Sequence, residues 1–277
     1  MEPELDYRPR TDITPLSWLL VCTVGLAGCS VRTLAVNSLA DALAESGSVY
    51  SSDPDPELVG DALPFALKTF ESLLEASPEH QELLLATCSG FTQYSFGFVE
   101  ADGSSLEFDN YPESRRLHER ALNLYLRARD YCLRGLEVSH PGISDKLVNS
   151  PEAAVALLGA EDLRLVYWTA ASWGSAISLG LHRLDVVADL PTVRTLFQRA
   201  LALDEDYLDG AVHEALIGIE ALPAAMGGSR ARADQHFARA LELSRGGSAG
   251  PFVTYAGAVL VPAQERAAFH QALEEAL

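Results

Sequence analysis

Apolar residues recur at three- and four-residue spacing in nearly every long segment of this chain, and no segment alternates apolar and polar positions as a half-buried strand does. That periodicity confines the polypeptide to helices laid against one another, so the class expected is all-α. Proline and glycine punctuate the periodic segments, at Pro54 and Pro56, Pro64, Pro78, Pro112, Pro141 with Gly142, Pro151, Pro191, Pro223, Gly227 with Gly228, Pro251 and Pro262. "SPEHQELL" from Ser77 and "SPEAAVALL" from Ser150 each offer a capping serine, a proline at the first helical position and acids in the first turn. The longest helix is expected over 113–138, stopped by "SHPG".

Within the helices a second pattern appears, in which a small residue is followed four positions on by a large one and three further on by another small one. Such spacing suits stacked helix pairs, because small side chains let one helix settle into the groove of the next while the large one fills the gap. "ALKTFESLLEASP" supplies Ala66 and Phe70, with Leu73 and Pro78 following; "ADQHFARALELSR" supplies Ala233, Phe237 and Ala240. Two weaker copies run through Val193, Phe197 and Ala200, and through Ala128, Cys132 and Gly135. Their separation exceeds the regular period of about 34 residues of tetratricopeptide arrays. The architecture expected is therefore a superhelical array of antiparallel helix pairs, degenerate tetratricopeptide-like repeats carrying insertions.

The N-terminal stretch follows a different logic. Residues 16–27 form an uncharged apolar run of about twelve, too short for the roughly 20 residues that a spanning helix needs but right for the core of an export signal. Leu26-Ala27-Gly28-Cys29 resembles the lipobox of bacterial lipoproteins. Residues 1–28 are expected to be a lipoprotein signal peptide and 29–277 the helical-repeat domain, with Cys29 the lipidated residue and membrane anchor. Ser30, rather than aspartate, after that cysteine favours the periplasmic face of the outer membrane. Cys88 and Cys132 then remain, and the sequence leaves open whether they pair or pack as two buried thiols.

Charge narrows the partners. The chain has 20 basic and 39 acidic residues; with no basic stripe evident to displace counterions from phosphates, nucleic acid is excluded as a partner. The sequence leaves self-association into a homo-oligomer open.

"LPFALKTFESLLEASPEHQELLLATCSGFTQYSFGFV", "YWTAASWGSAISL", "RALALDEDYLDGAVH" and "GGSRARADQHFARALELS", taken with the lipobox, resemble the TatT family, the lipoprotein T-component of tripartite ATP-independent periplasmic (TRAP) transporters. The resemblance runs from about residue 37 to the end. It implies a periplasmic, membrane-anchored helical protein that binds a solute-binding protein of TRAP type. It also implies an apolar passage suited to a hydrophobic small molecule. The rival reading is a general helical-repeat lipoprotein that assembles envelope machinery.

Motifs for bond chemistry fail one by one. His213-Glu214 opens a zinc-protease signature, but Ile217 stands where the second histidine belongs. "GGSAG", 246–250, satisfies a nucleophile-elbow expression around Ser248 without the strand that the elbow requires. The glycine pair Gly227–Gly228 opens a helix but lacks the lysine of a phosphate-binding loop. The seven histidines show no metal-ligand spacing, so no enzyme activity, metal or cofactor is expected. What remains is aromatic: Phe91, Tyr94 and Phe98 share a helical face, and Trp168 and Trp173 lie on a helix rich in small residues. Tyr94, Phe98, Trp168, Trp173 and His213 are the candidates to line a ligand or partner site.

Overall fold

The computed structural model describes residues 36–44, 49–50 and 52–277. The signal segment 1–28 and the anchor Cys29 lie outside the described residues. Every regular element among the described residues is helical. Helix α1 spans 36–44, α2 Pro56–Ala76 and α3 Gln81–Tyr94, which passes without a break into a π-helical turn, Ser95–Glu100. There follow α4 Ala101–Ser105, α5 Tyr111–Ser139, α6 Ile143–Asn149, α7 Pro151–Val155, α8 Leu163–Leu179, α9 Leu184–Val187 and α10 Leu190–Leu203. Last come α11 Ala211–Glu220, α12 Arg230–Ser244, α13 Gly250–Tyr255 with a second π-helical turn Ala256–Leu260, and α14 Arg266–Glu275.

The 29-residue α5 is the spine. It packs along α3 on one side and α8 on the other; α8 in turn meets α10, and α11 meets α12. The helix is longer than the expected 113–138 by one residue at its end and two at its start, where the Asn110 side chain accepts the Glu113 amide and Pro112 sits where its missing N–H is harmless. One large core runs from α1 to α11 through Leu84, Leu136, Leu147, Trp173 and Leu196. A second around Tyr125 joins α5 to the first π-turn, and a third, around Phe252 and Leu260, holds α13 and α14.

The repeat positions fall into three kinds of place. Phe70, Ala200, Ala233 and Ala240 are buried, as are Ala128 and Cys132. Gly135 lies against Leu165, where a β-carbon would come within 2.7 Å of a leucine methyl. Phe237 is half-buried and stacks on Tyr255 at 4.2 Å. Ala66 faces a cavity described below. Gly227 takes φ +83°, the left-handed conformation that glycine adopts freely, and a side chain on Gly228 would overlap the Leu222 carbonyl. Both glycines thus make the sharp return from α11 to α12.

Cys88 and Cys132 form a disulfide between α3 and α5, with α-carbons 5.4 Å apart. Three local expectations need correction. Helix α3 begins at Gln81, capped by His80, whose Nδ1 accepts the Leu83 amide; Ser77 instead ends α2 and donates to Asn37 on α1 at 2.7 Å. Ser150 precedes α7 but makes no side-chain cap, and α7 is only five residues long. Pro64 does not break α2: burial of Leu67, Phe70 and Leu74 outweighs the single backbone bond the ring removes.

Candidate functional site

A cavity of about 550 Å3 opens between α1, α2, α3, the first π-turn and the start of α8. Its existence follows from small residues on facing helices. Ala66 on α2 and Ala86, Ser89 and Gly90 on α3 leave space that larger side chains would occupy, and Gly90 lets Leu67 approach to where a β-carbon would be 2.8 Å away. The walls are otherwise apolar, from Val59, Leu63, Leu85 and Leu43. Its size lies in the range of small-molecule sites, about 300 to 1,000 Å3.

The aromatic end is built by the π-turn. With an extra residue in one turn, the backbone delivers both Phe96 and Phe98 to the cavity, while Val99 enters the core around Tyr125. Phe98 lies on bare Gly60, whose absent β-carbon would otherwise sit 2.7 Å from the ring, and stacks with Tyr94 at 5.8 Å. Trp168 closes the α8 side. Polar groups are few: Tyr50, Asp53, Ser89, Gln93 and Arg164. Ser89 donates to the Ala86 carbonyl and Gln93 to the Ser89 carbonyl, so both are partly satisfied. Arg164 pairs with Glu82 at 2.9 Å and remains more than half exposed, a cation at the rim of an apolar chamber.

Of the five residues expected to line a site, Phe98 and Trp168 face this cavity, and Tyr94 supports Phe98. Trp173 is in the core, donating its indole N–H to Asp189 at 3.2 Å beneath the Arg129 guanidinium. His213 is buried elsewhere, between α11 and α12. Its Nδ1 lies 2.8 Å from Nδ1 of His236, and its Nε2 lies 3.1 Å from Glu205. Two Nδ1 atoms this close share one proton; the arrangement consistent with both contacts has His236 donating to His213 and His213 donating to Glu205. Burial pushes both imidazoles below their usual range, and the Arg239 fork holds the Glu205 carboxyl down at about 2. Among the described residues no three histidines, cysteines or acids converge as metal ligands.

Sequence reasoning missed Phe96, Gly90 and Arg164. Phe96 is hidden by the π-turn, which shifts it out of the 3.6-residue register used to choose its neighbours. Arg164 belongs to an element far away in sequence, and only tertiary packing brings it to the rim.

The family model for the TRAP transporter T-component matches residues 52–277. The chain belongs to that family. The matched span contains α2 through α14, hence nearly the whole cavity wall. An uncharacterized protein of Treponema pallidum (strain Nichols) is 27% identical over 270 residues, covering 91% of this chain and 84% of the relative. As a T-component, the chain is an envelope-associated auxiliary of TRAP transport. No helix among the described residues is long and apolar enough to cross a membrane.

Proposed function

We propose that this T-component works by binding rather than by bond chemistry: it holds a hydrophobic small molecule in the cavity and meets a TRAP-type solute-binding protein, tethered in the periplasm through acylated Cys29. The observation that carries the reading is the chamber itself, apolar on nearly every wall, floored by Phe98 and Trp168, with a single arginine at its rim. That distribution favours a molecule with an apolar body and a polar end, since the body gains about 25 cal/mol per Å2 of apolar surface removed from water and the end keeps its solvation. Tetratricopeptide-like stacking of the helix pairs is part of the same reading, supported by the buried small residues at Ala200, Ala233 and Ala240. The Cys88–Cys132 disulfide supports an oxidising compartment.

The test is to titrate the purified protein with a fluorescent long-chain fatty acid, beside Ala66→Trp, which fills the chamber from α2. The native protein is expected to bind in the micromolar range and the variant at least tenfold more weakly, with unchanged far-UV circular dichroism. Equal binding by the two proteins would remove the cavity from the account. Co-purification from solubilised membranes with the TRAP solute-binding protein of the same organism tests the second half, and its loss in Cys29→Ser tests the tether.

A further inference from the structure

Against the expectation of no basic stripe, helix α5 carries six arginines, 115, 116, 120, 127, 129 and 134, in a chain whose acids outnumber its bases by 19. Its exposed positions between 115 and 138 are 115, 116, 119, 120, 123, 127, 130, 134 and 138, and five of these nine are arginine. Arg120, Arg127 and Arg134 are spaced by seven residues, so they stand on nearly one line, about 10.5 Å apart, over about 21 Å.

With acids in such excess, each of these cations had carboxylates to choose from. Two have none among the described residues. Arg120 donates to the Tyr94 hydroxyl at 3.1 Å and lies over that ring; Arg134 donates to the Pro78 carbonyl at 3.2 Å and lies 5.2 Å over Tyr131. Arg127 sits 5.0 Å over Phe91 and pairs with Glu71, which also takes Lys68 at 2.6 Å, so that trio keeps one positive charge. The rings and the carbonyl fix where the guanidinium groups stand without neutralising them. Each retains free N–H donors in the fork that suits a carboxylate. Shallow depressions of about 420 and 330 Å3 flank the line, the first bordered by Arg120 and Arg127, the second by Arg127 and Arg134. Neither shares a lining residue with the apolar chamber.

We propose that this face of α5 is a docking surface for an acidic helix of a partner protein, whose carboxylates at seven-residue spacing seat on Arg120, Arg127 and Arg134. A bilayer is the poorer occupant. Glu113, Glu119 and Asp130 border the line, and the net charge of −19 repels a flat anionic sheet, whereas a single helix contacts the cations without meeting the rest of the surface. The site goes beyond the ligand-binding reading and stands whether or not the chamber is filled.

The experiment uses two 21-residue helical peptides of equal composition, one with glutamates every seventh residue along one face and one with the same glutamates spread around the helix. Fluorescence anisotropy at 50 and 200 mM salt reads their binding to the native protein, to Arg120→Glu/Arg134→Glu and to the milder Arg120→Gln/Arg134→Gln. The aligned peptide is expected to bind at least tenfold more tightly than the dispersed one, to weaken at the higher salt, and to lose at least tenfold in both variants. Equal affinity for the two peptides, or no effect of either variant, overturns the proposal. So does arginine-dependent binding to vesicles of phosphatidylcholine with phosphatidylglycerol in the absence of aligned-peptide binding.

Discussion

Reducing the Cys88–Cys132 bridge gives a stability change whose size follows from chain length. The cysteines are 44 positions apart, and closing a loop of that size removes denatured-chain entropy worth about 4 kcal/mol at 25 °C. Both sulfurs are fully buried between α3 and α5, helices that already pack along each other, so reduction leaves the native contacts in place and acts chiefly on the unfolded chain. For a domain of about 225 residues, an unfolding entropy of about 2.1 cal/mol/K per residue converts 4 kcal/mol into a fall in Tm of about 8 °C. The assay is differential scanning calorimetry of the oxidised chain, of the chain reduced in denaturant and refolded, and of Cys88→Ala/Cys132→Ala. The double variant should melt lower still, because two buried sulfurs leave small voids. Alkylation of Cys88 and Cys132 in the denatured, unreduced protein, or melting of the reduced chain within 2 °C of the oxidised one, would refute the reasoning.

Other outcomes follow from single contacts. Glu220 is buried and joins Arg194 and Arg232, so Glu220→Ala, which strands Arg194 inside, should cost about 3 kcal/mol in urea unfolding with an unchanged slope. Gly228→Ala should cost about 2 kcal/mol or more through its overlap with the Leu222 carbonyl, whereas Gly218→Ala, in the last turn of α11 with open space around the new methyl, should gain up to about 1 kcal/mol by thermal melting. His213 and His236, held low by burial, stay neutral in the fold while the unfolded chain takes up protons as pH falls through about 6.5, so their contribution is complete above that pH and drains away below it. Burial raises Glu100 and Glu214, which act in the opposite sense just above the ordinary glutamate value; comparing Tm at pH 7.5 and 5.5 with that of His213→Asn/His236→Asn cancels them. The native protein should lose more than the variant, and parallel profiles would count against the histidine pair.

Much of this fold is visible in the order of side chains along the chain. The apolar periodicity of α5 and the small residues at Ala128, Cys132 and Gly135 announce a helix buried on one side with a close neighbour there. Helix starts were less legible: Ser77 has the right residues after it, yet the actual cap is His80, because Pro78 and Glu79 are used in the turn that brings α3 back along α2. The candidate site was half legible. Phe98 and Trp168 declare themselves as large aromatics among small residues. Trp173 carries the same local signature but finds Asp189, sixteen residues on, and His213 finds His236; such partners depend on how α8, α10, α11 and α12 lie together, which no local spacing encodes.

The π-helical turn at Ser95–Glu100 has a consequence for how this chamber tolerates change. One surplus residue in a helix rotates everything downstream by roughly 100°, so shortening this turn by Gly97 would relax it to an ordinary α-turn and swing the phenylalanines relative to α2. The aromatic floor is thus set by residue count as much as by residue type. Length variation there among relatives would reshape the chamber without touching a single wall side chain.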